Sequence, residues 1–118
     1  MPLSDAERED AWEALSDIFI DNEVDYAAVA RAVAGIPLAE LETLFFEEVA
    51  PYCGPNLLTP IPPIWSGFSR EPLVAGIRER QRRIAASRLA ALQHRWLVRV
   101  LRWYFKGEWQ ALVARLAP

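Results

Sequence analysis

Apolar residues recur along most of this chain at spacings of three and four, which is the period of an amphipathic helix. In the first such stretch the shared apolar face carries four large residues: Trp12, Leu15, Ile18 and Phe19. Ser4, followed three residues later by Glu7, is the signature of a capping box, in which each side chain accepts a hydrogen bond from the other residue's backbone. We therefore expect the first helix to begin after Ser4 and to bury this face.

Two further helices are predicted before residue 51. Residues 26–34 form a short alanine-rich stretch, and Gly35 behind it suits the left-handed position that ends many helices. Pro37 opens the next stretch and Pro51 is expected to close it, because proline fits the first turn of a helix and breaks its interior. The expected core face of this helix comprises Leu41, Leu44, Phe45 and Val49.

A proline-rich stretch then interrupts the helical pattern. Residues 51–68 hold five of the chain's nine prolines. Proline removes backbone donors and disfavours helix at the preceding residue, so we expect a long crossover loop here. Four large apolar side chains are expected to anchor this loop in the core: Leu57, Leu58, Trp65 and Phe68.

The C-terminal part of the chain predicts three more helices. One begins at Ser69 and runs to about Ile84, and a break near 85–87 separates it from a long helix over about 88–106. A last short helix follows Gly107. Apolar side chains cover more than half of the circumference of the 88–106 helix, which predicts that it is the central, largely surrounded helix.

The predicted fold is therefore all-α, a compact bundle of about five to six helices in a single domain covering residues 1–118. The chain has 118 residues, of which 53% are hydrophobic and 25% charged, as is ordinary for one globular domain. The N-terminus carries acids where a secretory signal would carry basic and apolar segments, so we expect a cytoplasmic protein. Cys53 is the only cysteine, which fits a reducing compartment.

The net charge of −3 conceals an uneven distribution along the chain. Residues 1–58 contain thirteen acids and two arginines, whereas residues 59–118 contain three acids and eleven bases. Such an asymmetry between the halves of a chain indicates surfaces suited to charged partners.

Within the acidic half, carboxylates share one face of the first helix, away from its apolar face. The predicted partner-binding residues lie on this stripe and in the turn after it: Glu9, Glu13, Asp17, Asp21, Glu23 and Asp25. Complementary charge would speed the encounter with a basic protein and select against wrong partners. A solvated face without a partner is the alternative interpretation.

In the basic half, the cations of the 88–106 helix fall within about 60° of its circumference. The alternative, nucleic-acid-binding residues are Arg95, Arg99, Arg102 and Lys106. Trp96 and Trp103 nearby could stack on bases, but the net acidity of the chain disfavours a nucleic-acid partner. The same stretch taken alone is typical of an interfacial membrane helix. Because we expect other helices to cover it, no membrane contact is predicted.

No catalytic motif, phosphate-binding loop or metal-ligand cluster appears, so we predict no enzyme activity, no cofactor and no metal. The alternating acids of residues 21–25 resemble the first ligands of a calcium loop. However, Tyr26 and Ala32 stand where that loop needs glycine and glutamate. Cys53 and His94 lack a positioned third group that would make them a nucleophile and base. A hydrolase that works with carboxylates alone stays open as a third class.

Three blocks of the sequence resemble the recurrent blocks of a family of small, helical, single-domain bacterial proteins of unknown function. The blocks are "WEALSDIFID" at 12–21, "FFEEVAPYCGPNLL" at 45–58 and "WSGF" at 65–68. The resemblance covers most of residues 8–84, and it implies a helical fold and a bacterial origin without implying an activity.

The small size of the chain, its acidic half and its lack of a catalytic constellation favour a non-enzymatic protein–protein interaction module. Most concretely, we predict a cytoplasmic immunity-type inhibitor that binds and neutralises a bacterial toxin or effector through its acidic surface.

Overall fold

The computed structural model describes residues 3–19, 24–54 and 70–116. Its helices are α1 (Asp5–Ser16), α2 (Tyr26–Val33), α3 (Leu38–Thr43), α4 (Ala50–Cys53), α5 (Arg70–Ala86), α6 (Arg88–Tyr104) and α7 (Lys106–Leu116). A 3₁₀ turn, Asp17–Phe19, follows α1, and a π-helical stretch, Leu44–Val49, joins α3 to α4 without a break. The described residues contain no strand, so the prediction of an all-α bundle is confirmed.

The local sequence explains where several of these helices begin and end. The Glu7 N–H donates to the Ser4 hydroxyl at 3.1 Å, and the Ser4 N–H donates to the Glu7 carboxylate at 2.9 Å, which is the predicted capping box. The side chains of Asp25 and Ser87 cap α2 and α6 by accepting the backbone N–H of Ala28 and of Ala90. Gly35 has a φ of +95°, the left-handed conformation expected of a glycine that ends a helix.

The centre of the fold is the continuous helix formed by α3, the π-helical stretch and α4. It packs against α1, α5 and α6. Its predicted core face is buried as expected: Leu41, Leu44, Phe45 and Val49.

Pro51 does not end this central helix, contrary to the prediction. It is buried within α4, which continues to Cys53. The π-helical stretch ends just before α4, so the backbone hydrogen bonds change from a five-residue to a four-residue spacing there. The missing N–H of Pro51 therefore falls in the first turn of α4, where a helix tolerates proline.

The buried side chains form one cluster built around aromatic rings. The ring centroid of Phe19 lies 5.3 Å from that of Phe45 and 5.0 Å from that of Phe105. Phe45 also contacts Trp109 at 5.5 Å, so the core joins the N-terminal, central and C-terminal helices. The face predicted for the first helix is buried as expected: Trp12, Leu15, Ile18 and Phe19.

α6 is not the central, largely surrounded helix that its broad apolar surface predicts. Val98 and Leu101 face the core, but the other side of the helix exposes large apolar residues: Leu89, Leu92, Trp96, Val100, Trp103 and Tyr104. A broad apolar surface shows how much of a helix could be buried, but the neighbouring helices determine how much is buried. The helices described around α6 cover only one side of it.

The remaining predictions concern the connections between helices. The prediction of a crossover loop over 51–68 is wrong for residues 51–53, which belong to α4. From residue 55 onward the predicted loop and its four anchors lie outside the described residues, as does the predicted cap Ser69. The predicted break near 85–87 is confirmed at Ser87. The last helix begins at Lys106 rather than after Gly107, because the buried Phe105 makes the corner between α6 and α7.

Candidate interaction surfaces

Carboxylates that are exposed or half-buried line α1 and the turn after it, and we call them the acidic face: Asp5, Glu9, Asp10, Glu13 and Asp17. Three of the six predicted contact acids belong to it, namely Glu9, Glu13 and Asp17. Asp25 lies apart, at the start of α2, where it accepts the Ala28 N–H at 3.0 Å. The other two predicted acids, Asp21 and Glu23, lie outside the described residues.

α5 supplies two arginines to the acidic face. Nη1 of Arg70 lies 2.7 Å from Oδ1 of Asp10 and 3.1 Å from Oε1 of Glu13. Nη2 of Arg78 lies 3.3 Å from Oε2 of Glu9. Two of the predicted contact acids, Glu9 and Glu13, therefore already have partners within the fold, and these ion pairs join chain segments that the sequence separates widely.

The ion pairs leave the acidic face with an excess of negative charge. Arg70 and Arg78 together reach four of its five carboxylates, so the face keeps a net charge of −3. Asp5 and Asp10 remain largely exposed in spite of their ion pairs. The pKa of the Asp17 carboxyl is raised, because neighbouring atoms displace water from it and because the charge of Glu13 repels its own.

A carboxylate that the sequence analysis did not single out holds α1 to the central helix. Both oxygens of Glu48 accept hydrogen bonds from Nη1 of Arg8, at 2.9 and 2.8 Å. Oε1 of Glu48 also accepts the indole N–H of Trp12 at 2.8 Å. The side chain of Glu48 is only 13% exposed, so this cluster is a structural joint rather than a contact surface.

The four cations of the alternative, nucleic-acid-binding prediction are not equivalent. Nη1 of Arg102 lies 2.7 Å from Oε1 of Glu42, and Nη2 lies 3.4 Å from Oε2 of Glu47. The Arg102 guanidinium also covers the ring of Phe46 at 5.0 Å. Arg102 is therefore engaged in holding α6 to the central helix.

The other three predicted cations, Arg95, Arg99 and Lys106, are exposed. None of them forms an ion pair with any residue in the parts of the chain that the structure describes. Arg88, at the start of α6, is exposed and unpaired within the same limits. These cations are free to meet a negatively charged partner.

Beside these cations α6 exposes a row of apolar side chains, which we call the outer face: Leu89, Leu92, Trp96, Val100 and Trp103. Spacings of three and four residues place this row within about 80° of the helix circumference. Trp96 and Trp103 are 72% and 77% exposed. Such exposure is unusual, because a tryptophan side chain stabilises a fold or an interface when it is buried. An exposed apolar row of this kind marks a site of interaction.

Cys53 and His94 do not have the surroundings of a nucleophile and base. Burial raises the pKa of the Cys53 thiol, so the sulfur keeps its proton at neutral pH and is a weak nucleophile. Nδ1 of His94 lies 3.5 Å from Nη2 of Arg80. Burial and the charge of Arg80 lower the pKa of His94, which makes it a packed, neutral histidine.

Two further features bear on function. Among residues 3–19, 24–54 and 70–116, no group of three or more His, Cys, Asp or Glu side chains is arranged to hold a metal ion. None of the helices in these ranges combines the length and the hydropathy that crossing a bilayer requires.

The described structure is thus a helical bundle with one acidic face on α1 and one apolar, cation-edged face on α6. Residues 6–115 match the family described as "Domain of unknown function (DUF7079)", and the chain belongs to this family. No curated protein and no solved structure matches the chain. The predicted membership of an uncharacterised family is confirmed, and the description of that family states no activity.

Proposed function

We propose that this chain is a non-enzymatic bacterial protein-binding module, and most concretely an immunity-type inhibitor that covers a basic toxin or effector with its acidic face. The observation that carries the proposal is the residual charge of that face, which holds five carboxylates against two arginines, and these arginines reach only four of the five. An uncompensated negative surface attracts a basic protein and repels acidic ones.

The ion pairs of the acidic face also support a binding role. Arg70 bridges Asp10 and Glu13, so neither carboxylate moves freely before a partner arrives. Carboxylates held in advance lose less conformational entropy on docking than free ones do. Because the acidic face has an excess of negative charge, its carboxylates could bind the cations of a partner while they remain paired with Arg70.

The exposed cations of the C-terminal helices support nucleic-acid binding less well than the acidic face supports protein binding. Of the four predicted contacts, Arg102 is engaged by Glu42 and Glu47, which leaves three for phosphates. We therefore keep nucleic-acid binding as the weaker hypothesis.

A pair of matched charge-reversal variants tests the proposal. Glu13→Lys/Asp17→Lys alters the acidic face, and Glu71→Lys/Glu79→Lys makes the same charge change on α5, at two exposed acids that form no ion pair with that face. The tagged wild-type chain is used to capture proteins from the source cell and to bind the product of the neighbouring gene. Titration calorimetry with the purified partner then compares the variants.

We expect a basic partner that the α5 variant binds as the wild type does and that the acidic-face variant binds at least about tenfold more weakly. The proposal fails if no specific protein partner exists. It also fails if both variants bind the partner equally, because the acidic face would then not be the docking surface.

A further inference from the structure

The outer face of α6 is unused by the proposed docking through α1. Of the eight large hydrophobic residues that the described parts of the chain expose, six lie on α6. They lie on the side of the helix away from Val98 and Leu101, which face the core. The exposed apolar surface is therefore concentrated on one element.

Every charge on this helix is positive. Residues 88–104 carry four arginines and contain no Lys, Asp or Glu, and Lys106 follows at the start of α7. The arginines fall within about 60° of the circumference, along one edge of the outer face. Since only Arg102 meets described carboxylates, an occupant of the outer face must offer apolar surface and negative charge side by side.

The outer face is also convex, because it is the solvent side of a single helix. From Leu89 to Trp103 it covers fourteen residue steps, a length of about 21 Å at the helical rise of 1.5 Å per residue. A long convex ridge fits a broad, deformable partner surface better than it fits a closed pocket.

Two other occupants fit these observations less well. Nucleic acid offers the negative charge, but the aliphatic side chains Leu89, Leu92 and Val100 would gain nothing from stacking with bases. A second copy of α6 offers apolar surface but brings the same arginines and no carboxylate to meet them.

We infer that the outer face of α6 docks on the surface of a bilayer that contains anionic lipid. The indole rings of Trp96 and Trp103 suit the boundary between headgroups and acyl chains, and the aliphatic residues reach just below it. Arg95 and Arg99 lie beside this row, where their guanidiniums meet lipid phosphates while their stems cover apolar surface.

In this arrangement α6 lies along the bilayer and does not cross it, consistent with the lack of a helix able to span one among the described residues. The net negative charge of the chain does not prevent docking. At physiological ionic strength charges are screened beyond about 8 Å, so the residues next to the lipid decide the interaction.

Sedimentation of the full chain with lipid vesicles tests this inference. The probes are vesicles of phosphatidylcholine alone and vesicles in which about a third of the lipid is phosphatidylglycerol, a fraction chosen to give a clearly negative surface. We expect the chain to bind the anionic vesicles, to bind the neutral ones far more weakly, and to lose binding as salt is raised.

Three variants locate the contact. Arg95→Glu/Arg99→Glu should lower partitioning to anionic vesicles by about 30-fold or more, because each cation near such a surface contributes roughly fivefold. Trp96→Ser/Trp103→Ser should lower it by at least about tenfold. The control Arg82→Glu/Arg83→Glu makes the same charge change on the exposed side of α5 and should keep most of the binding.

Circular dichroism and the midpoint of unfolding should show that all three variants fold, since their altered residues are exposed. The inference is overturned if the wild type binds neither the anionic nor the neutral vesicles. The inference is also overturned if the α5 control Arg82→Glu/Arg83→Glu loses as much vesicle binding as Arg95→Glu/Arg99→Glu.

Two further outcomes assign the outer face to another occupant and also overturn the inference. In one, vesicles do not bind but a single-stranded oligonucleotide does, through Arg95 and Arg99. In the other, sedimentation velocity shows a dimer that the tryptophan variant abolishes. Loss of vesicle binding would leave the proposed protein partner untouched, because that test alters the acidic face and α5 and leaves α6 unchanged.

Discussion

α1 and α6 each carry a row of like charges beside tryptophan, but the two helices differ in how far these residues are buried and paired within the fold. On α1, Trp12 is buried and four of the five carboxylates of the acidic face meet arginines of α5. On α6, Trp96 and Trp103 are exposed, and Arg95 and Arg99 have no carboxylate partner among the described residues. The difference shows that an amphipathic pattern alone does not tell whether a helix has completed its contacts within its own fold.

The largest expected contrast is between the tryptophans of the two helices. Trp12→Ala should lower the free energy of unfolding by about 3 to 5 kcal/mol, because it empties a fully buried site and leaves Glu48 without its indole donor. Trp96→Ala should change it by less than about 0.5 kcal/mol. Urea unfolding followed by circular dichroism measures both. Similar losses for the two variants would mean that α6 is covered after all.

The next contrast concerns carboxylates that serve the fold and those that do not. Glu48→Ala should cost about 3 kcal/mol, since it leaves Arg8 and the Trp12 indole without their acceptor in a largely buried site. Glu71→Ala, on the exposed side of α5, should cost less than about 0.5 kcal/mol. Equilibrium unfolding of the two variants provides the measurement, and a Glu48 variant as stable as the wild type would show that Glu48 does not hold α1 to the central helix.

Within α6 itself, one arginine should matter to stability and its neighbour should not. Arg102→Ala should cost about 1 kcal/mol, through the ion pairs with Glu42 and Glu47 and the contact with Phe46. Arg99→Ala should leave stability unchanged within about 0.5 kcal/mol. The midpoint of thermal unfolding distinguishes the two, and equal effects would contradict the division of α6 into an engaged and a free edge.

The smallest effects should appear in the pH dependence, with opposite signs in the two regions. Folding raises the pKa of Asp17, so the folded chain binds this proton more tightly and loses stability as pH rises through the ordinary range of an aspartate, about 4. Asp17→Asn should therefore be more stable than the wild type at neutral pH, by less than about 0.5 kcal/mol, and equal to it near pH 3.

For His94, on α6, folding lowers the pKa, so the unfolded chain binds the proton more tightly. The wild type should lose stability as pH falls below about 6.5, the ordinary pKa of a histidine. His94→Gln should not show this loss. Denaturant titrations between pH 5 and pH 8 would reveal the difference in slope, and parallel curves would contradict the assignment.

Much of the fold is predictable because helical period and capping are local properties. The residues that bury the inner face of α1, the capping box at Ser4 and the left-handed Gly35 all follow from neighbours a few positions apart. Pro51 was the local exception, because a π-helical stretch shifts the hydrogen bonds just ahead of it. Period alone does not reveal such a shift.

The candidate surfaces were only partly predictable, because they depend on what packs against each helix. The stripe of acids on α1 is visible in the sequence. Its arginine partners come from α5, which follows the proline-rich stretch in the sequence and is therefore distant from α1 along the chain. Likewise the apolar row of α6 is visible as spacing. Whether that row belongs to the core or to the surface depends on the number of helices around it.

The accessibility of the tryptophans shows whether α6 presents an uncovered face. Oxidation of the folded wild type with N-bromosuccinimide, followed by peptide mass spectrometry, reports the reaction of each indole separately. We expect Trp96 and Trp103 to react rapidly and Trp12 to react only under unfolding conditions, because only the first two are exposed. Protection of Trp96 and Trp103 to the same degree as Trp12 would contradict the claim that α6 presents an uncovered face.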